Sequence, residues 1–418
     1  MNKKVLLGLF LIIMSTILLG CNKEENLGDT YNKGIDSQYM YVNEIFPSNI
    51  VSSEDGYYLS SGMYIYYVDK SSMKQTILCN KPNCLHDEEI DESKKYNCNA
   101  FFKSQGMGME AMNYYKDNLY GISIYDPLSK SDKANLLEIS KDGSKRKVVY
   151  EFEGDISQAT LHRGYLYFVS NSMKEDENNG KLTSSNSKLI RIDVTKRNPK
   201  EEVLYETNLK EDGIGSLIAY GNNIYFTSHG YEDEELKNYK SKFINYNISN
   251  KESKEILSQY KDGEVGKVSI QNGKLVFLYW HYNDDDERNK QMYTCDLNGD
   301  NIEPLFKTDF YGIEDSDDKF TYVDNIAEKI NGKDIERIID FYDTSGKKVD
   351  TLNLGTDEPI SNAWSILPGD ENYLFLIYKD DKYFNIKRID KNDIGSKNIK
   401  VNDFFKVNIE NTDTEIKY

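Results

Sequence analysis

The sequence predicts an all-β fold, a ring of four-stranded antiparallel sheets, and three observations carry that reading. A four-strand pattern recurs roughly every fifty residues, the hallmark of a repeat architecture. The 418 residues include 33 tyrosines and only seven prolines, with 38% hydrophobic and 12% aromatic content. That composition suits many short, half-exposed strands better than compact helical packing. Asn-Gly, Asp-Gly and related dipeptides punctuate the hydrophobic runs where hairpin turns belong.

Residues 1–20 come first and read as a secretory signal. Met1-Asn-Lys3-Lys4 precedes an apolar run from Val5 to Leu19, with a small residue, Gly20, before the cut. The run is short for a membrane-spanning helix. With Cys21 directly after Leu18-Leu19-Gly20, the segment resembles the lipobox of bacterial lipoproteins. That resemblance implies a diacylglycerol on the Cys21 thiol, cleavage before it, and a protein held at the cell membrane on its extracytoplasmic face. The alternative is an ordinary signal with an incidental cysteine. Loss of Lys3 and Lys4 with the signal takes the formal charge from −18 to −20. Such a field repels nucleic acid and anionic headgroups, so the membrane link falls to the lipid on Cys21, where two acyl chains suffice. Residues 21–40 are polar and aperiodic, and are expected to form a flexible tether. Residues 41–418 are expected to form a single domain.

The repeating units follow in order. A compressed copy spans Ile50 to Cys79. The next pairs Asn118-Leu119-Tyr120 with the stretch Asn135 to Gly143. The clearest runs Ser157 to His162, turns at Arg163-Gly164, and continues through Tyr165 to Val169, Lys188 to Asp193 and Glu202 to Tyr205. Its successor has Ser216 to Tyr220, a turn at Gly221 to Asn223, then Ile224 to Thr227, Lys242 to Asn247 and Lys254 to Leu257. The fifth has Lys267 to Gln271, Asn272-Gly273, Lys274 to Leu278, Gln291 to Asp296 and Ile302 to Phe306. A degraded copy lies between Phe320 and Leu354, and the last has Asn372 to Ile377 and Phe384 to Asp390. One such sheet cannot bury both faces, whereas radial stacking hides them and leaves short protected edges. The unit is therefore read as a β-propeller blade. Seven blades are favoured and six remain possible, with helix nearly absent after residue 40.

Lys274-Leu-Val-Phe-Leu-Tyr-Trp280, followed by Tyr293-Thr-Cys-Asp-Leu-Asn-Gly-Asp300, resembles the YWTD-type blades of low-density-lipoprotein-receptor-related propellers. Leu137-Glu-Ile-Ser-Lys-Asp-Gly-Ser144 matches the same half-blade. Tyr-Trp-Thr-Asp itself does not occur, and the six-bladed form of that family implies the lower count. The chain also resembles propeller lipoproteins of Gram-positive gut bacteria, of uncharacterised function, whose first blade ends in a Cys-Asn-Lys-Pro-Asp-Cys-type loop. That kinship implies a fold and a location.

The loop in question reads Leu78-Cys79-Asn-Lys-Pro-Asn-Cys84-Leu-His86, with Asn97-Cys98-Asn99 downstream. Three thiolates and an imidazole complete a tetrahedral zinc shell, and Cys-x4-Cys stands at the loose end of structural-zinc spacing. Pro82 and the asparagines help to turn the chain. Cys79, Cys84, His86 and Cys98 are thus candidate ligands of a structural zinc. A disulfide among the cysteines competes, because the compartment permits oxidation, although it strands an odd cysteine. Cys295, inside an expected strand, reads as a small core residue.

Acidic runs at Lys174 to Glu177, Glu232 to Glu235, Asp284 to Glu287 and Asp380-Asp381 fall in the loop after each second strand, so they are expected on one face. They read as solvated surface, with a docking surface for a cationic partner or loose calcium binding as the alternative. His162, His229 and His281 are scattered and read as surface residues. Catalytic residues: none are assigned, because no nucleophile with its base, no Walker loop and no metalloprotease motif occurs. The expected function is non-enzymatic binding of a protein or glycan partner at the membrane. The alternative is a cell-envelope carbohydrate-active enzyme with carboxylates in the central funnel.

Overall fold

The computed structural model describes residues 27–41, 49–61, 63–102, 110–123, 133–175, 182–207, 209–233, 235, 237–260, 263–281, 290–308, 312–325, 337–355, 365–380 and 382–408. Cys21 and the signal lie outside them, as do 282–289. Seven four-stranded antiparallel sheets, each made of four consecutive strands, form a seven-bladed β-propeller. Blade 1 holds β1 (Ile50–Ser52), β2 (Gly56–Ser61), β3 (Tyr64–Asp69) and β4 (Gln75–Ile77). Blade 2 holds β5 (Glu110–Tyr115), β6 (Asn118–Ser123), β7 (Asn135–Ser140) and β8 (Arg146–Glu151). Blade 3 holds β9 (Asp155–His162), β10 (Tyr165–Glu175), β11 (Leu182–Asp193) and β12 (Glu202–Glu206). Blade 4 holds β13 (Lys210–Tyr220), β14 (Asn223–Tyr231), β15 (Tyr239–Asn247) and β16 (Glu252–Ile256). Blade 5 holds β17 (Gly263–Gln271), β18 (Lys274–His281), β19 (Lys290–Asp296) and β20 (Glu303–Thr308). Blade 6 holds β21 (Gly312–Ser316), β22 (Phe320–Asn325), β23 (Ile338–Asp343) and β24 (Lys348–Asn353). Blade 7 holds β25 (Ser365–Leu367), β26 (Tyr373–Lys379), β27 (Tyr383–Asp390) and β28 (Val401–Asn408). The favoured count of seven is the observed one. Among the described residues helix is confined to short pieces, such as α1 (Glu92–Lys95).

The four strands of a blade are called A to D in chain order. First strands pack on one another in succession, β5 on β9 and on through β17 on β21, which places the A strands innermost. Core residues alternate along the strands and fill the wedges between blades. One cluster joins Tyr58, Ile65, Leu119 and Leu137 of blades 1 and 2, and another joins Leu136, Phe152, Leu166 and Phe168 of blades 2 and 3. Aromatic pairs mark these seams: Tyr58 stacks on Tyr114, Phe152 meets Phe168 edge-on, Tyr205 meets Phe226, and Phe306 stacks on Tyr342. Large rings fill a widening wedge while a tyrosine hydroxyl keeps a polar partner. This accounts for the tyrosine-rich composition.

Several strands outrun their sequence-based bounds. β10 and β11 stay paired as far as Lys174 and Ser184, beyond the apolar stretch. Hydrophobic alternation ends where the core ends, but the backbone ladder continues without it.

Blades 1 and 7 meet without a shared strand. Tyr57, Leu59 and Val68 pack against Phe375, Phe384, Ile386 and Phe404, and Tyr57 touches Phe404 edge-on at 5.2 Å. At the perimeter, the Gln75 side chain donates to Lys406 O (2.8 Å) and accepts from Lys406 N (3.2 Å), as a strand neighbour would.

Residues 27–41 depart from the tether expected of 21–40. They lie across the A–B turns as a strap. Arg163 in the A–B turn of blade 3 pairs with buried Asp36 at 2.8 Å, and Ser37 Oγ is 2.7 Å from Thr160 Oγ1. Gln38 bonds Ser52 in blade 1, Tyr39 donates to Asp318 in blade 6, and Tyr41 donates to Asp370 in blade 7. Tyr39 also packs edge-on against Tyr220 of blade 4. The tether reading followed from low hydrophobicity. The strap is held instead by polar groups spaced to match a ring of turns, a complement that composition does not reveal.

Candidate metal centre

The link from β4 to β5 leaves blade 1 at Leu78 and returns to it at Ala100. Leu78 N–H donates to Ile65 O and Ala100 O accepts from Ile65 N–H, both at 2.9 Å, so both ends of the loop are pinned to β3. Cys79 and Cys98 flank that anchor. The blade 2 turn closes over it: Asn99 Nδ2 donates to Gly143 O (2.8 Å), and Gly143, at φ +68°, lies so near that a Cβ there would come 2.4 Å from Leu78 O. Between the cysteines, Asp91 caps α1 through the Ser93 N–H, and Cys98 N–H bonds back to Lys95 O. Tyr64 Oη donates to His86 O at 2.9 Å. Asn83 and His86 both hold left-handed backbone, at φ +60° and +53°. Such positions persist when the surroundings over-determine them.

The sequence-predicted set comes together completely. The ligand atoms of Cys79, Cys84, His86 and Cys98 all lie within 4.8 Å of one another. His86 Nδ1 is 3.5 Å from Cys98 Sγ. A tetrahedral zinc with its usual bond lengths separates sulfur from nitrogen by about 3.6 Å and sulfur from sulfur by about 3.8 Å. All four described cysteines are free thiols, so no two of these sulfurs are bonded. The donor set, its convergence and the participation of His86 fit zinc.

Thiol electrostatics differ across the set. Burial works to raise the Cys79 pKa, but backbone N–H groups of Lys81 and Asn99, with the neighbouring Cys98 and Cys84 thiols, outweigh it and leave the group below its ordinary value. Cys98 is pushed well up by burial and by the adjacent Cys79 and Cys84 sulfurs, against a bond from the Ala100 N–H. Three thiolates side by side repel unless a cation sits among them, and an ion inverts that balance. Cys79 and Cys98 each accept from the N–H two residues on. The sequence signal for this is a shared Cys-Asn-x triplet, Cys79-Asn80-Lys81 and Cys98-Asn99-Ala100, which the ligand spacing alone overlooks.

The other singled-out residues fall elsewhere. Cys295 is fully buried in the core between blades 4 and 5, where burial pushes its thiol up to about 12. His162 corrects the surface reading. It is 0% exposed, accepts the Ser37 N–H at Nδ1 (3.1 Å) and meets Gly221 O at Nε2 (2.8 Å). The ring is therefore neutral with its proton on Nε2, and burial lowers its pKa to about 4. His229 sits in β14, half-buried against Gly213. Nothing is described of the His281 side chain.

The acidic loops do lie between B and C strands where described. Asp233 accepts from the backbone N–H groups of Glu235, Lys237 and Asn238, and Asp380 from those of Lys382 and Tyr383. The runs 176–177 and 284–287 lie outside the described residues. At the B–C end of β13, burial raises the Asp212 carboxyl to about 6, although it accepts the Ser187 N–H.

No family model and no curated protein matches the chain. Solved structures do. A prolyl endopeptidase is similar over 97% of this chain and 55% of its own, at 11% identity and a TM-score of 0.52. The Pyrococcus horikoshii acylaminoacyl peptidase is similar over 83% of this chain and 51% of its own, at 9% identity and a TM-score of 0.50. An uncharacterised protein of Listeria monocytogenes is similar over 68% and 79%, at 11% identity and a TM-score of 0.45. The chain spans about half the length of the two peptidases. At these identities the likeness is one of fold, a seven-bladed β-propeller.

Proposed function

We propose that the chain is an extracytoplasmic lipoprotein, anchored through Cys21, whose propeller binds a protein or glycan partner and is clipped between blades 1 and 2 by a structural zinc. The observation that carries the binding reading is the use made of the carboxylates. Asp69 is drawn down to about 2 by the Ser71 and Ser72 hydroxyls, and Asp142 to about 2 by Ser144 N–H and the Ser140 and Ser144 hydroxyls. Asp117, Asp343 and Asp403 are likewise held low by hydrogen bonds or lysines. These groups build turns and ion pairs, whereas glycosidic chemistry needs a facing pair with one carboxyl kept protonated. Zinc is supported by the convergent Cys3His set. Among the described residues no helix is long and apolar enough to cross a membrane, and the anchor reading rests on the Leu18-Leu19-Gly20-Cys21 sequence.

Capture from detergent-solubilised membranes with the native lipoprotein tests the binding role; a partner retained in stoichiometric amount is expected. Palmitate labelling that is identical in wild type and Cys21→Ala would dismiss the anchor. The second reading, a carbohydrate-active enzyme, draws on Asp212, whose raised carboxyl could serve as a general acid. The shared fold with peptidase structures leaves room for chemistry. Turnover of an envelope polysaccharide that vanishes in Asp212→Asn would favour it.

A further inference from the structure

The strap has a geometric consequence for the outside of the molecule. An early contact lies near the centre of the disc: the Asp29 backbone rests on the A–B turn of blade 4, where a Cβ on Gly221 would come 2.5 Å from Asp29 O. Arg163 Nη2 then holds Thr30 O at 3.3 Å. Asp29 stands eight residues after Cys21, and eight residues reach at most about 28 Å when fully extended.

We infer that anchor and strap together limit which way the propeller faces, holding the B–C loops away from the bilayer and leaving the A–B turns or the rim toward it. The inference rests on lipidation of Cys21. The path from Asp29 to the opposite face is too long for the link. β14 takes nine residues to run from the A–B turn to the B–C loop, about 30 Å at the ordinary strand rise. A route around the edge must also pass three further strands of a blade, at about 4.8 Å each. The link is spent before the B–C loops could meet the membrane.

Orientation therefore needs no affinity of the protein surface for lipid. That is consistent with a chain whose net charge of −18 opposes anionic headgroups. The B–C face, which carries the acidic loops at Asp233 and Asp380, is the surface turned away from the bilayer.

The full mature lipoprotein is reconstituted into phosphatidylcholine vesicles carrying an energy-transfer acceptor on a fraction of the headgroups. A fluorescent amino acid replaces either Glu54, exposed in the A–B turn of blade 1, or Glu232, exposed in the B–C loop of blade 4. Transfer from position 54 is expected to exceed that from position 232 several-fold. A long Gly-Ser insertion between Cys21 and Leu27, outside the fold, should erase the difference. Equal or reversed transfer in protein shown by mass to carry its lipid overturns the orientation and leaves the anchor standing. Wild-type protein without lipid overturns both. A difference that survives the insertion also overturns the inference, because reach is then not its cause.

Discussion

His86 and His162 are both held by neighbours, to opposite ends. His86 stands among three sulfurs, in strained backbone, with its carbonyl fixed by Tyr64. His86→Gln and Cys98→Ser should each lower zinc affinity by at least the roughly 10–100-fold that loss of a supporting group alone costs. Elemental analysis should fall from one zinc per chain to well below one, and a chelator should lower the Tm of wild type but not of Cys98→Ser. His162 is a latch that works in its neutral, singly protonated form. Its folded pKa of about 4 lies below the unfolded value of 6.5, so the unfolded chain binds the proton first. The contribution is present above pH 6.5 and drains away as pH falls toward 4, by about 3 kcal/mol in all. In His162→Gln the denaturation midpoint should change less with pH across that window. An unchanged slope would remove the latch.

Among the elements, the strap depends on close approach at the blade turns. Gly221→Ala places a Cβ against the Asp29 backbone at φ +57° and should cost about 1–3 kcal/mol. Hydrogen exchange should quicken across residues 29–41 while the blade cores stay protected. The strands themselves were legible in the sequence, because Leu-Tyr-Phe runs between Asn-Gly-type turns carry both period and punctuation. The sixth unit was legible only as a degraded copy between Phe320 and Leu354, and it forms a full blade of β21 to β24. The four residues of the candidate metal site were legible as a possible set, with a disulfide among the cysteines as the competing reading; their convergence appears only in the fold. The strap was not, because Asp36, Ser37 and Tyr39 acquire meaning only when Arg163, His162 and Asp318 face them across more than a hundred residues. His162 was misread for the same reason: a histidine at a hairpin end is exposed unless another segment covers it.

At the scale of the whole molecule, the ring holds together at the junction of blades 1 and 7 through Asp370. Its carboxylate takes the Tyr57 hydroxyl at 2.8 Å and the Tyr41 hydroxyl at 3.3 Å while capping the Asn372 and Tyr373 N–H groups. Asp370→Ala leaves two buried phenols without that acceptor and should lower stability by about 2–4 kcal/mol. A denaturant midpoint that falls, with faster exchange in β1, β2 and β26 together, is the expected result. Loss confined to blade 7 would mean that the junction is held by its apolar contacts alone.

Because every blade is made of consecutive strands, each can form as soon as its own stretch of chain is available. The strap is the exception. Tyr41 finds Asp370 across 329 positions and Lys33 finds Glu371 across 338. Loop closure over such separations comes late. A protein threaded out of the cell N-terminus first would thus deliver its strap before any blade and seat it only when the seventh is built. A segment made before all seven blades becomes the last to dock, and its burial serves as a built-in signature that the circle is complete.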